Sequence, residues 1–348
     1  MICVAWVGMG SYAQGAVAQL IRDSSEPIKL IAITADVPRI CESELEGAKV
    51  VWVEQNDTRH IDEVLGEMPR VLIESGWFLP ILRRYIRDVR KSGGHVIGMC
   101  DNPMMRGWRL FLWCMRFRLL HRRWYEGFVT AGESARRLLI AAGFPADRIS
   151  VGSYACDLSV FTNGGPICER EKKIVYVGRF IDIKNIRRFL SAYIKFAANH
   201  PECSFDLYGQ GPLQKELDDM IVRSGVASIT MHPFATPQEL AEVYKRVRVL
   251  ALPSYSDHWG VVVQEAAASG CAVLVSTEVR AADAFCSERN SFTIDPMSED
   301  QMVKALEGFA SWDDARWNDA QAESLVLAQR RTPKIFSDGV RKIIDKLR

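Results

Sequence analysis

Short apolar runs alternate with amphipathic stretches along the whole chain, and this restricts its fold more than any other feature. Ile2–Val7, Leu30–Thr34, Val50–Val53, Val71–Glu74, His95–Met99 and Gly127–Thr130 have the length and β-branched content of buried strands. Between them Gln14–Arg22, His60–Gly66 and Ile81–Lys91 repeat apolar residues at helical spacing. Strands joined through helices pair in parallel, because a parallel connection needs a crossover. A cluster of glycine, proline and charge at 162–173 reads as a linker, after which Ile174–Val177, Cys203–Tyr208, Ile229–His232, Val249–Leu252 and Ala272–Ser276 restart the pattern. With 348 residues, too many for one ordinary core, the expected α/β fold is two Rossmann-like domains facing across a cleft. Their expected bounds are 1–165 and 166–331, with a helix in 332–348 returning to the first domain.

Composition narrows the class of function. The net charge of +1 provides no field for nucleic acid. Nine scattered cysteines without a C-x-x-C pair predict reduced thiols and a cytoplasmic protein. Met1–Val7 lacks the basic start of a signal peptide, and no apolar run reaches about 18 residues, so no membrane span is expected. Asp218-Asp219 and Asp313-Asp314 fall in helical patterns as solvated faces, and no metal site is predicted.

The second half holds the candidate chemistry. Asp257 precedes Glu265 across a glycine turn, and a helix from Gly260 to Ser269 is expected to stop at Gly270. Such an entrance gathers unpaired N–H groups and suits a phosphate. Gly178, Arg179 and Lys184 follow a strand end, where open α/β sheets bind ligands. A guanidinium and an ammonium there can grip a diphosphate, or can be two solvated surface cations. Gly209 and Gly211 either admit a ligand to the backbone or simply make a turn. Phe234 and Ala235 lie in a loop that can seat a nucleobase, ahead of a helix with Thr236 as N-cap and Glu239 at capping-box spacing.

Gly178-Arg179…Lys184, Tyr208-Gly-Gln-Gly211-Pro212, Glu239-Leu240…Tyr244 and Pro253-Ser254…Asp257-x7-Glu265-Ala-Ala-Ala-Ser-Gly270 occur in the order and spacing of one family. Together they resemble the donor domain of GT-B retaining glycosyltransferases, family 4 or group 1. Glu133-Ser-Ala-Arg-Arg-Leu-Leu, Gly143–Ile149 and Asp157–Phe161 also resemble that family, so the likeness covers about residues 127–310. It implies that Arg179 and Lys184 bind the diphosphate of a UDP-, GDP- or ADP-linked hexose, with no other cofactor. It implies that Glu265 accepts from ribose hydroxyls, and that Asp257, standing where the family has glutamate, contacts the sugar. Gly260 and the amides around Trp259 and Val261 are implied to face the phosphates, while His258 is a candidate for specificity; Glu265 as a helix cap and Trp259 as core are the plain alternatives. The segment Thr277–Phe285 lacks the family's paired glycines.

In the first half, Gly8, Gly10 and Gly15 follow the first strand and invite a dinucleotide reading, with Asp36 beyond the second strand. Their spacing is G-x-G-x4-G instead of G-x-G-x-x-G, leaving an NAD(P)- or FAD-dependent oxidoreductase as the rival class. By the resemblance, Gly10 and Ser11 face the acceptor. Cys100 and Asp101 end a strand where the family has a histidine, and Asp101 is a candidate to orient the acceptor hydroxyl or take its proton, or else to cap the next helix. Residues 104–125 then hold arginines 106, 109, 116, 118, 122 and 123 and tryptophans 108, 113 and 124, without an acid. Such a stretch suits an anionic membrane or a lipid-linked acceptor, or else is a packed helix with wet arginines. The expected enzyme is a metal-independent transferase of cell-surface glycan assembly, acting on a saccharide or lipid-linked saccharide at the inner face of the membrane. A non-catalytic sugar-nucleotide or lipid-binding protein is the third reading.

Overall fold

The computed structural model describes residues 1–35, 45, 47–105, 107–155 and 158–347, with Ser11 and Tyr12 as backbone alone. Asp36, Arg106 and Asp157 lie outside the described residues. The chain divides into two compact units: Met1–Ala155 with Arg331–Arg348, and Cys156–Arg330.

The first unit is built on β1 (Ile2–Val7), β2 (Ile28–Ile33), β3 (Val50–Val53), β4 (Val71–Glu74), β5 (His95–Cys100), β6 (Gly127–Thr130) and β7 (Ile149–Val151). They form one parallel sheet in the order 3-2-1-4-5-6-7. The second unit holds β8 (Glu171–Val177), β9 (Ser204–Tyr208), β10 (Ile229–His232), β11 (Val247–Leu252), β12 (Ala272–Ser276) and β13 (Ser291–Ile294). Their order, 10-9-8-11-12-13, repeats the doubly wound pattern, again entirely parallel. Helices cover both faces of each sheet's central strands, so Val4, Ala5, Leu72, Val175, Leu250 and Leu274 have no solvent exposure. The reading of the sequence omits β7 and β13. Each is a short edge strand interrupted by serine or threonine, so neither makes the unbroken apolar run by which central strands are recognised.

The segment expected to be a linker is partly strand. β8 starts at Glu171, and Lys173 is in register with Ser204 of β9. Just ahead of it, the buried Arg170 pins residues 163–165. Its Nη2 donates to Asn163 Oδ1 at 2.7 Å, Gly165 O at 3.1 Å and Ser269 O at 3.0 Å, and its Nη1 to Tyr244 O at 3.0 Å. The helix Pro333–Asp345 belongs to the first unit, where Phe336, Val340, Ile343 and Ile344 share a core with Val4, Trp6, Ile97 and Val129. Residues 104–125 are not one helix: an α-helix at Gly107–Arg116 passes into a π-turn, Phe117–His121, and a 3-10 turn, Arg122–Trp124. Asp313 is a cap, accepting from Arg316 N at 2.8 Å, and not a residue of a helical face.

Candidate functional site

β8 and β11 are neighbours from which the sheet's connections run in opposite directions, and the loops after them carry most of the expected residues. The loop after β8 is clasped by the loop after β9. Gly178 N donates to Tyr208 O at 3.0 Å, and Phe180 N to Gln210 O at 2.9 Å. A Cβ on Gly209 would fall 2.0 Å from Gly178 O, so this glycine admits the protein's own backbone. The clasp buries Phe180 and leaves the Arg179 side chain exposed, its carbonyl fixed by the Tyr176 hydroxyl at 2.9 Å.

Lys184 ends a 3-10 turn and gives its ammonium to Asp257 Oδ2 at 2.6 Å; both side chains are largely buried. Two cross-links hold the pair. Asn185, buried and in the left-handed region at φ 57°, donates to Pro253 O at 3.0 Å and Pro296 O at 2.7 Å. Tyr255 N donates to Ile183 O at 2.8 Å. Sequence reasoning missed Asn185, whose partners are distant in the chain; a polar residue fit for positive φ at a helix start was the available signal.

The Asp257 backbone is strapped to the segment after β12: its N–H donates to Glu278 O at 3.1 Å, and Ala281 N donates to Trp259 O at 2.7 Å. That is the work of the loop lacking the paired glycines. Trp259 is core, its indole N–H donating to Gln264 Oε1 at 2.9 Å and its ring edge-on to Phe285. His258 beside it is exposed. The helix Val261–Ala268 lies between Gly260 and Gly270, which hold positive φ of 93° and 78°. Val263 N donates back to Gly260 O at 2.9 Å, while the N–H groups of Val261 and Val262 have no acceptor within the helix and lie at the positive end of its dipole. Glu265 caps nothing. Its Oε2 is buried with no hydrogen-bond partner, and desolvation pushes its carboxyl up to about 7, opposed by the Tyr244 hydroxyl. After β10, Phe234 is 53% exposed and Ala235 is buried, while Thr236 and Glu239 form the expected capping box.

In the first unit, Gly10 is the extended N-cap of the helix Ser11–Asp23. Cys100, expected beside an acceptor, is buried in the core, and desolvation pushes its thiol up to about 12. Asp101 accepts from the Tyr154 hydroxyl at 3.0 Å, and it lies too far ahead of the helix at Gly107 to cap it. One group went unread: Glu74, fully buried at the end of β4, accepts from the Tyr125 hydroxyl and from Gly76 N, both at 2.7 Å. Burial raises its carboxyl to about 7. In the sequence it is only the last residue of the strand Val71–Glu74.

Among the described residues, no group of three or more His, Cys, Asp and Glu is placed to hold a metal, and no helix is long and apolar enough to cross a membrane. The described cysteines 3, 100, 114, 168, 203, 271 and 286 are free thiols.

Residues 162–318 match the family model described as glycosyl transferases group 1. The D-inositol 3-phosphate glycosyltransferase of Mycobacteroides abscessus is 30% identical over 162 residues, which are 42% of this chain and 35% of that protein. An uncharacterised glycosyltransferase of Methanocaldococcus jannaschii is 28% identical over 134 residues, 38% of this chain and 34% of that one. The chain therefore spans only 34–35% of these two curated relatives. Among solved structures, Anabaena HepE in complex with UDP and glucose superposes with a TM-score of 0.76 at 11% identity, covering 99% of this chain and all of that one. Sucrose-phosphate synthase of Thermosynechococcus elongatus does so with 0.70 at 12% identity, covering 100% and 99%. Residues 162–318 are thus similar to the group 1 glycosyl transferases, in a chain whose two Rossmann-like units have the GT-B fold.

Proposed function

We propose that the second unit binds a nucleoside-diphosphate sugar and that the enzyme transfers the sugar to an acceptor hydroxyl with retention at the anomeric carbon. The observation that carries this reading is the Lys184–Asp257 ion pair at the strand ends, in a loop system that also presents Arg179 and the helix after Gly260. Lys184 has two N–H groups left after meeting Asp257, and with Arg179 and the helix N-terminus it would hold the diphosphate. Oδ1 of Asp257 would take a sugar hydroxyl, and Oε2 of Glu265 would take the ribose hydroxyls. Phe234, Ala235 and Gly209 would border the base, with His258 beside the sugar. The bond from the anomeric carbon to the β-phosphate oxygen breaks as the acceptor oxygen attacks from the same face, its proton passing to the departing phosphate. No divalent metal or further cofactor enters this scheme, since Arg179 and Lys184 carry the charge compensation. In the first unit, Gly10, Ser11 and Asp101 are proposed on the acceptor side. The acceptor is proposed to be a saccharide or lipid-linked saccharide of cell-surface glycan assembly, used by a cytoplasmic protein.

The test is a thermal-shift panel of UDP, GDP and ADP, followed by mass detection of transfer from the matching nucleotide sugars. At least one nucleotide should raise the unfolding temperature equally with and without EDTA. Arg179→Ala should remove most of that rise, an interaction of about 1.5–3 kcal/mol for a charge-assisted contact. No rise with any nucleotide sinks the proposal; a rise without transfer to any saccharide leaves a binding protein in its place.

A further inference from the structure

The helix Gly107–Arg116 and the turns after it show two apolar faces. One is packed: Cys114, Phe117 and His121 are buried, Trp113 stacks on Phe117 at 5.2 Å, and Trp77 and Trp124 lie 4.3 and 4.7 Å from the His121 ring. The other faces water. Trp108, Phe111, Leu112, Met115 and Leu119 recur at helical spacing on the opposite side, with exposures from 45% to 69%. The inward residues fix the segment, so this stripe is a property of a packed element and not of a frayed one. Large side chains left out in a row mark an interaction surface.

The charges beside the stripe indicate what covers it. Arg118 is used internally, donating to Ala142 O at 2.9 Å and Ala141 O at 3.0 Å. Arg109, Arg116, Arg122 and Arg123 remain exposed along the same stretch, and residues 104–125 contain no acid. A second copy meeting this face about a two-fold axis would set these arginines against their own counterparts, with nothing in the segment to neutralise them. Nucleic acid would satisfy the arginines but leave Leu112, Met115 and Leu119 without a partner. An anionic bilayer surface satisfies both, with acyl chains under the stripe and headgroups beside it.

We infer that residues 107–123 seat this chain in the plane of an anionic membrane, with Trp108, Phe111, Leu112, Met115 and Leu119 entering the interface and Arg109, Arg116, Arg122 and Arg123 meeting the headgroups. This is independent of sugar transfer and stands or falls without it.

The full chain is sedimented with vesicles of phosphatidylcholine alone and of phosphatidylcholine with about one third phosphatidylglycerol. The chain should pellet with the anionic vesicles, bind the neutral ones about tenfold more weakly, and lose binding as salt rises. The pairs Phe111→Ser with Leu119→Ser, and Arg109→Gln with Arg116→Gln, should each weaken binding by about tenfold. All four side chains are exposed, so the unfolding temperature should not fall in either pair; should the apolar pair misfold, the arginine pair still decides. The inference is overturned if the chain stays in the supernatant with anionic vesicles, or if folded variants bind as the parent does. It is equally overturned if the chain is a dimer in solution that the serine pair converts to monomer.

Discussion

Asn185 carries no charge, yet it anchors the turn that delivers Lys184 to Asp257. Replacing it with alanine leaves the carbonyls of Pro253 and Pro296 without their donor and keeps a side chain at φ 57°. Asn185→Ala should cost about 2–4 kcal/mol in urea unfolding of the second unit. Asn185→Gly, which relieves the backbone, should cost about 1 kcal/mol less; an equal loss in both would remove the conformational part of the argument. Glu74 has a pH signature. Burial raises its carboxyl from 4.5 to about 7, so the folded state keeps a proton that the unfolded chain releases between those values. Its contribution to stability is therefore complete below about pH 4.5 and lost as the pH climbs to about 7, to an extent of up to about 3 kcal/mol. Glu74→Gln should flatten the first unit's stability across that window, measured by thermal unfolding at pH 5 and 7.5. Glu265 has the same sign in the second unit. That Arg179, Lys184 and Asp257 stand in loops after strands was legible because polar residues follow apolar runs there, and that Glu265 stands in a helix was legible from the glycines around it. Glu74 and Asn185 were not, because their roles depend on partners brought together only by folding.

Elements with local signals were read closely. The capping box at Thr236 and Glu239 and the glycines at both ends of Val261–Ala268 stand where local chemistry puts them. Features set by neighbours were read less well: β7 and β13 depend on an adjacent strand, and the start of β8 is hidden in a charged run that only its pairing with β9 and β11 makes strand. The two glycine-bearing loops after β8 and β9 act as one element, since each supplies the other's backbone partners. Gly209→Ala should cost roughly 3 kcal/mol, as overpacking against a main-chain carbonyl has no easy relief. It should also displace Arg179, so the nucleotide-induced rise in unfolding temperature should shrink by more than the stability loss alone accounts for. A Gly209→Ala protein of parental stability would show that the approach to Gly178 relaxes freely.

At the scale of the molecule, the alternation of runs and helices conveys two doubly wound sheets, because each strand–helix step is local, while the strand order they share, up to the first sheet's additional β7, comes from crossovers with no local signature. Two units with separate cores should give two calorimetric transitions. Removing residues 333–348 takes Phe336, Val340, Ile343 and Ile344 from the first core alone. At about 1.5–3 kcal/mol for each buried side chain, the loss approaches the whole stability of an ordinary domain. The first transition should disappear and the second should keep its midpoint; a shared downward shift of both would mean that the cores are not separate.

That helix also has a consequence for synthesis. It joins a core begun by β1, yet it follows the entire second unit in the chain. During translation, the part made first must wait with one wall of its core missing while the part made later closes. Nascent chains arrested after residue 330 should therefore resist protease in the second unit and be cut readily in the first.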